Sequence, residues 1–420
     1  MEPSDAGTRE PPADAGSGKV RLLDRELWGR REIKVRTAPS FIPDKSLYTN
    51  TPYQPPEPDE LTRREGDTVA EFIRAAKNRG IKVWFQVQSA IPPGYRVQFG
   101  GPSDSDRPLG PDGSAGPPRV DANASLAAPD VIEYGRAMMK DLGRAYPDID
   151  GIRLDWPEYP PYHAHPLFFD FSDHALRVAG AINIDTDRMR LHARQVQHNL
   201  SQALTDELLG KSQYLDDSNL ARWLADYPGM LDLLTLRRKL SFDLITSFRA
   251  ALPQHMALVP QTFPPPFQLL SGFDLAGTAQ IVQGIGVKFY TMHWPMILSD
   301  YAQAMAAGSA SSEAIAKALV TTFGTGEQPP SAIEQFRYPE PDEDHTASDS
   351  AIREKINTAQ AATDACQIYA FTHAYGPLDD VARRARACWE ASGGNMWVNR
   401  YGYMSNEKIS AFADLVKPAR

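Results

Sequence analysis

Apolar residues recur along this chain at two periods, and the two periods take turns. From residue 67 the apolar positions Val69, Phe72, Ile73 and Ala76 fall at helical spacing, with Asp67 placed to cap the start and Gly80 to stop the end. A period-two run over residues 81–88 follows at once: Ile81, Val83, Phe85 and Val87 share one face, and Trp84, Gln86 and Gln88 share the other. The exchange then repeats. Val131, Tyr134, Met138 and Leu142 mark a helix that begins near Pro129, and Tyr146-Pro147-Asp148 hands over to a short strand at residues 150–155. Further strands are predicted over residues 257–262, 287–293, 367–373 and 395–400, with an earlier one over 32–38.

Strand and helix in alternation predict an α/β protein whose parallel strands are joined by crossover helices. Seven strands at this spacing suit a (β/α)8 TIM barrel in which the first strand is lacking or altered. A doubly wound sheet fits less well, because no glycine-rich phosphate loop follows an early strand. The expected organisation is a disordered tail over residues 1–19 and a single barrel domain over 20–420. Insertions are expected at 100–118, 156–256 and 324–350, after strands, where they would stand at the barrel mouth. The middle one contains helical patterns near 185–208 and 230–252 and is expected to cap the site. The last, rich in Pro, Glu and Asp, reads as an exposed or disordered loop.

Composition narrows the function classes. The chain is 42% hydrophobic and 23% charged, and no apolar run approaches the ~20 residues needed to span a bilayer. The net charge of -9 and the lack of a basic block argue against a nucleic-acid partner and favour a neutral or cationic ligand. The two cysteines, Cys366 and Cys388, make neither a disulfide framework nor a thiolate zinc site. No export signal is read in the first residues, so a cytoplasmic location is expected. Nothing in the pattern asks for a cofactor.

Candidate chemistry gathers at the predicted strand ends. In Gly151-Ile152-Arg153-Leu154-Asp155, alternation puts Ile152 and Leu154 on one face and Arg153 and Asp155 on the other, with Asp155 at the C-terminal mouth where barrel enzymes act. A structural Arg–Asp pair or a helix cap would also explain this segment. Trp156, Glu158 and Tyr159 follow directly. Further along stand Asp274, His293, Trp294, His373, Trp397, Asn399, Arg400 and Tyr401. Carboxylates mixed with aromatics suit a carbohydrate substrate, since sugar faces stack on rings and glycosidic cleavage uses two carboxyl groups in different protonation states. Asp155, beside Arg153, is the expected ionised partner; Glu158 and Asp274 are equal candidates for the acid. Arg153, Trp84, Gln88, Trp156, Tyr159, His293, Trp294, His373, Trp397, Asn399, Arg400 and Tyr401 are the expected substrate-binding set. Two other readings stay open: a carbohydrate-binding barrel without turnover, and a metal-dependent hydrolase drawing on His163, His165, His293 or His373.

Over residues 32–412 the chain resembles the glycoside-hydrolase-like TIM barrels, which are related in pattern to the α-amylase superfamily. The segment Ala75-Ala76-Lys77-Asn78-Arg79-Gly80-Ile81-Lys82-Val83 resembles their approach to the third strand, and Asp150-Gly151-Ile152-Arg153-Leu154-Asp155 their fourth. Met292-His293-Trp294 and Trp397-Val398-Asn399-Arg400-Tyr401-Gly402-Tyr403 are similar to later strand ends. The resemblance implies that Asp155 is the nucleophile and Arg153 its orienting partner. It departs at Val259-Pro260-Gln261-Thr262, where the amylase pattern carries its acid and this chain has no glutamate.

Overall fold

The structure is a computed structural model that describes residues 19–20, 33–34, 39–92, 101–116, 123–212, 225–326, 328–364, 366–400 and 403–417. Six strands form one parallel sheet in simple sequence order: β1 Trp84–Gln88, β2 Gly151–Asp155, β3 Ala257–Thr262, β4 Gly284–Phe289, β5 Gln367–His373 and β6 Met396–Asn399. Each successive pair is joined through helices, among them Pro129–Ala145 between β1 and β2 and Pro228–Ala251 between β2 and β3. This succession is compatible with part of a (β/α) barrel wall. The expected count of eight strands is not met among the described residues. The expected strand over 32–38 is a correction: Ile33–Lys34 pairs antiparallel with Lys19–Val20, away from the parallel sheet, and 35–38 lie outside the described residues.

The sheet is curled. Laid flat at ~4.8 Å per strand, β1 and β6 would stand about 24 Å apart, yet the Trp84 and Trp397 rings meet at 5.5 Å between centroids. Arg153 of β2 likewise reaches Phe371 of β5 and Trp397 of β6, at 4.3 and 4.6 Å. Only a wall bent around a lumen brings such strands together. Alternation fixes what lines it. Ile152, Leu154, Leu258, Ile285, Val287, Ile368 and Ala370 are buried under the helices, while the alternate residues point inward. Inward glycines leave room for inward aromatics: a Cβ on Gly151 would lie 2.5 Å from the Trp84 ring, one on Gly284 2.6 Å from the Tyr369 ring, and one on Gly286 would collide with Phe371.

The long insertion after β2 contains the helices Asp173–Ala181, Thr186–Gln202 and Asp206–Ser212 before the crossover helix Pro228–Ala251. That crossover helix spans about 36 Å, against about 20 Å for a six-residue strand, so its N-terminal half rises past the strand ends. Thr186–Gln202 packs there, with the backbone of Arg188 and Met189 pressed against Gly229. The acidic, proline-rich stretch 324–350 is structured at its described positions: Phe336, His345 and Ala347 are buried, and Tyr375 Oη donates to the Pro339 carbonyl at 2.9 Å. Ring and imidazole anchors, rather than composition, decide its order.

Candidate functional site

Asp155 ends β2 on the inner face, and its register neighbours come from both sides. Gln88 of β1 is opposite Asp155; extending the β2–β3 register from Arg153↔Val259 puts Gln261 opposite on β3. Its carboxylate is held at three points. Lys288 Nζ of β4 lies 2.6 Å from Oδ1, the Trp156 backbone N–H donates to Oδ1 at 3.1 Å, and Gln86 Nε2 donates to Oδ2 at 2.9 Å. The Lys288 ammonium itself faces the Phe263 ring at 4.9 Å and the Trp156 ring at 5.9 Å. Lysine, not arginine, is therefore the partner of Asp155. Arg153 turns away to lie beside the stacked rings of Phe371 and Trp397, and its Nε and Nη2 are buried with no hydrogen-bond partner among the described residues.

Glu158 stands three residues beyond, on a tightly fastened loop. Ser241 Oγ donates to the Pro157 carbonyl at 2.6 Å, the Tyr159 N–H to the Ser271 carbonyl at 3.0 Å, and Asn123 Nδ2 to the Glu158 carbonyl at 3.3 Å. Thr262 Oγ1, at the end of β3, donates to Glu158 Oε2 at 2.6 Å, and Ser271 Oγ donates to the same oxygen. Oε1 is buried without a hydrogen-bond partner among the described residues. Complete burial pushes the carboxyl up to about 7; Lys288 and the two hydroxyls pull it back down, and the charge of Asp155 adds to the rise. Two carboxyls within electrostatic reach of each other thus occupy opposite settings: one ion-paired to a lysine, one sealed and poised near neutrality.

Around the mouth, Tyr290 after β4 meets His293 and His373 at 5.7 and 5.3 Å. Tyr162 Oη contacts His293 Nδ1 at 3.2 Å, and the Tyr375 N–H donates to His373 Nδ1 at 3.0 Å. His345, from the 324–350 stretch, contacts Thr291 Oγ1 through Nδ1 at 2.7 Å. Burial first, then the charge of Arg384, holds its imidazole well below the ordinary range, so it is neutral.

The other expected residues fall into distinct places. Trp84 and Trp397 line the lower lumen with Tyr369, whose ring stacks on Trp397 at 4.7 Å. Gln88 is half-buried with Oε1 unpartnered. Trp156 is buried in a left-handed backbone conformation, φ 52°. Tyr159 is buried, its Oη donating to Asp170 Oδ2 at 2.8 Å, and Trp294 is buried near the Lys355 ammonium at 5.4 Å; both are packed into the wall. Asn399 and Arg400 are half-buried at the end of β6, and Tyr401 lies outside the described residues. Asp274 caps the helix Leu275–Ala279: it accepts from the Gly277 N–H at 3.2 Å and pairs with Arg238 at 2.8 Å. Its carboxylate is engaged there, on the helix side of the wall. His163 pairs with Asp300 at 2.6 Å, and among the described residues no group of three or more His, Cys, Asp or Glu side chains is placed to hold an ion. No helix among them is long and apolar enough to cross a membrane.

Sequence reasoning missed Lys288, Gln261, Thr262 and Ser271. Lys288 had a readable signal: a single charged residue inside Gly284-Ile285-Gly286-Val287-Lys288-Phe289, in phase with two glycines and so on the inner face.

No protein-family model matches the chain, and no curated protein matches it. Similar solved structures include a chitinase from Chromobacterium violaceum ATCC 12472, with 9% identity over 83% of this chain and 84% of that one, at a TM-score of 0.39. A β-galactosidase from the psychrophilic Marinomonas ef1 has 13% identity over 84% of this chain, which spans 60% of the galactosidase, at 0.36. The catalytic domain of a β-amylase from Paenibacillus polymyxa has 10% identity over 83% and 86%, at 0.43. At these identities and scores they assign the chain neither a family nor an activity.

Proposed function

We propose that this protein is a glycoside hydrolase in which Asp155 and Glu158 form the two-carboxyl pair. The reading rests on one observation: two carboxyls at and just beyond the end of a strand of the curled parallel sheet, one paired to Lys288 and the other pushed up to about 7 by burial. Glycosidic cleavage needs that asymmetry, an ionised group to attack or to activate water and a protonated one to meet the leaving oxygen. Among the described residues, Gln88 Oε1 and both ends of the Gln261 amide, the register neighbours of Asp155, have no hydrogen-bond partner, and neither do Arg153 Nε and Nη2 further down the same wall. A polyhydroxylated ligand, which donates and accepts at every hydroxyl, matches such a mixed set.

A second reading, carbohydrate binding without turnover, draws on Glu158 being 0% exposed. An oligosaccharide panel separates the two. Turnover by the wild-type chain that disappears in Asp155→Asn, while binding of the same sugar persists, is the expected result. Absence of hydrolysis across the panel, with binding intact, would replace the hydrolase by the binding protein.

A further inference from the structure

The lumen contains a cation two of whose nitrogens find no hydrogen-bond partner among the described residues. Arg153 sits on the inner face of β2, half-buried, its guanidinium carbon 4.3 Å from the Phe371 centroid and 4.6 Å from that of Trp397. Ring faces attract the positive charge but accept none of its in-plane N–H bonds. Nε and Nη2 are buried without a partner among the described residues, and the one carboxylate on its own strand face, Asp155, is taken by Lys288. Burial pulls this guanidinium below its ordinary value, against the pull of Tyr290 and Asp155. A buried arginine left this way is unfavourable unless a ligand completes it, and its planar fork fits a carboxylate, sulfate or phosphate best.

Access and spacing agree. Gln86, on the inner face of β1, is exposed, and Trp84, Tyr369, Trp397 and Asn399 are half-buried, so the described inner wall keeps accessible surface here, and its rings suit a sugar face. Arg153 and Asp155 stand two residues apart on one strand face, with about 6.6 Å between their backbone positions, so both side chains enter the same lumen. We infer that Arg153 is an anion-recognition residue, and that the sugar bound next to Asp155 carries an acidic substituent, a carboxylate first of all. This rests on the carbohydrate reading above and narrows it to acidic sugars. The local site thereby outweighs the net charge of -9, which by itself favours a neutral or cationic ligand.

Calorimetric titration of the full chain with glucuronate, galacturonate, glucose, inorganic sulfate and inorganic phosphate tests it, using wild type, Arg153→Lys and Arg153→Met. A charge-assisted bidentate contact gives the uronates an advantage of about tenfold or more over glucose. Arg153→Met removes that advantage, and Arg153→Lys keeps only part of it. Melting temperatures supply the second readout: Arg153→Met melts no lower than wild type, because the apolar side chain ends the unmet burial. Equal wild-type affinity for glucose and the uronates, or a uronate preference that survives Arg153→Met, overturns the inference and leaves the carbohydrate reading standing. Binding of sulfate and phosphate through Arg153 with no sugar bound upholds the anion site and removes the acidic-sugar assignment. No binding by any of the five probes overturns both, and so does a large drop in melting temperature in Arg153→Met with ligand binding unchanged.

Discussion

Glutamate 158 couples the proposed chemistry to the stability of the fold, and Glu158→Gln measures the coupling. Its carboxyl moves from an ordinary 4.5 to about 7 on folding. A shift of that size corresponds to roughly 3 kcal/mol between the protonated and charged forms. Because the folded value is the higher one, the native state binds the proton more tightly than the unfolded chain. The contribution is complete below about pH 4.5 and is lost as pH rises through 7. Glutamine keeps the shape and cannot titrate, and its amide can still meet the Thr262 and Ser271 hydroxyls. Urea unfolding of wild type and Glu158→Gln at pH 5 and pH 8 gives a double difference from which pH effects elsewhere cancel. The expected value is about 2.5 kcal/mol, since pH 5 lies just above the range where the contribution is complete, with the variant gaining on wild type at pH 8. A double difference below ~1 kcal/mol, or of opposite sign, would show that Glu158 folds as an ordinary carboxylate and would remove it as the acid. If it is the acid, wild-type turnover also falls as pH rises through about 7.

Three further outcomes follow from the packing. Asp155→Asn and Lys288→Met each leave one buried group of the pair alone and destabilise by roughly 3–5 kcal/mol, while the double variant costs much less than their sum in denaturant titrations. Gly286→Ala places a methyl against Phe371 and lowers stability by about 1–3 kcal/mol, read as a drop in melting temperature with unchanged secondary structure by circular dichroism. Asp274→Ala loses a cap worth about 1 kcal/mol and keeps full sugar turnover; loss of turnover without loss of binding would transfer the acid role to Asp274.

How much of this was legible depended on whether local pattern and tertiary packing agreed. β3 and β5 match the expected 257–262 and 367–373; in β5 the branched and aromatic residues Ile368, Tyr369, Phe371 and Thr372 favour a strand both in isolation and in place. β4 begins three residues before the expected 287 and ends at Phe289 rather than 293. Gly284 and Gly286 lower its strand propensity, and their reason for being there is on another strand, in Tyr369 and Phe371. The Arg153–Asp155 pairing is a similar case. Two residues apart on one face, they are neighbours in sequence, but Asp155 pairs with Lys288 and Arg153 lies against the Phe371 and Trp397 rings. Glu158 and Asp274 could not be separated from sequence, since the hydroxyls of Thr262 and Ser271 and the cap at Gly277 distinguish them only once folded.

The glycines set against aromatics on the inner wall also constrain how this chain can change over evolutionary time. At Gly151 with Trp84, Gly284 with Tyr369 and Gly286 with Phe371, enlarging one member first is a clash and shrinking the other first is a void. Single-step drift is disfavoured from either direction, so the inner wall is expected to vary by paired replacements. In a collection of diverged relatives these columns would change together, and the small and large members could trade strands while the lumen kept its bore.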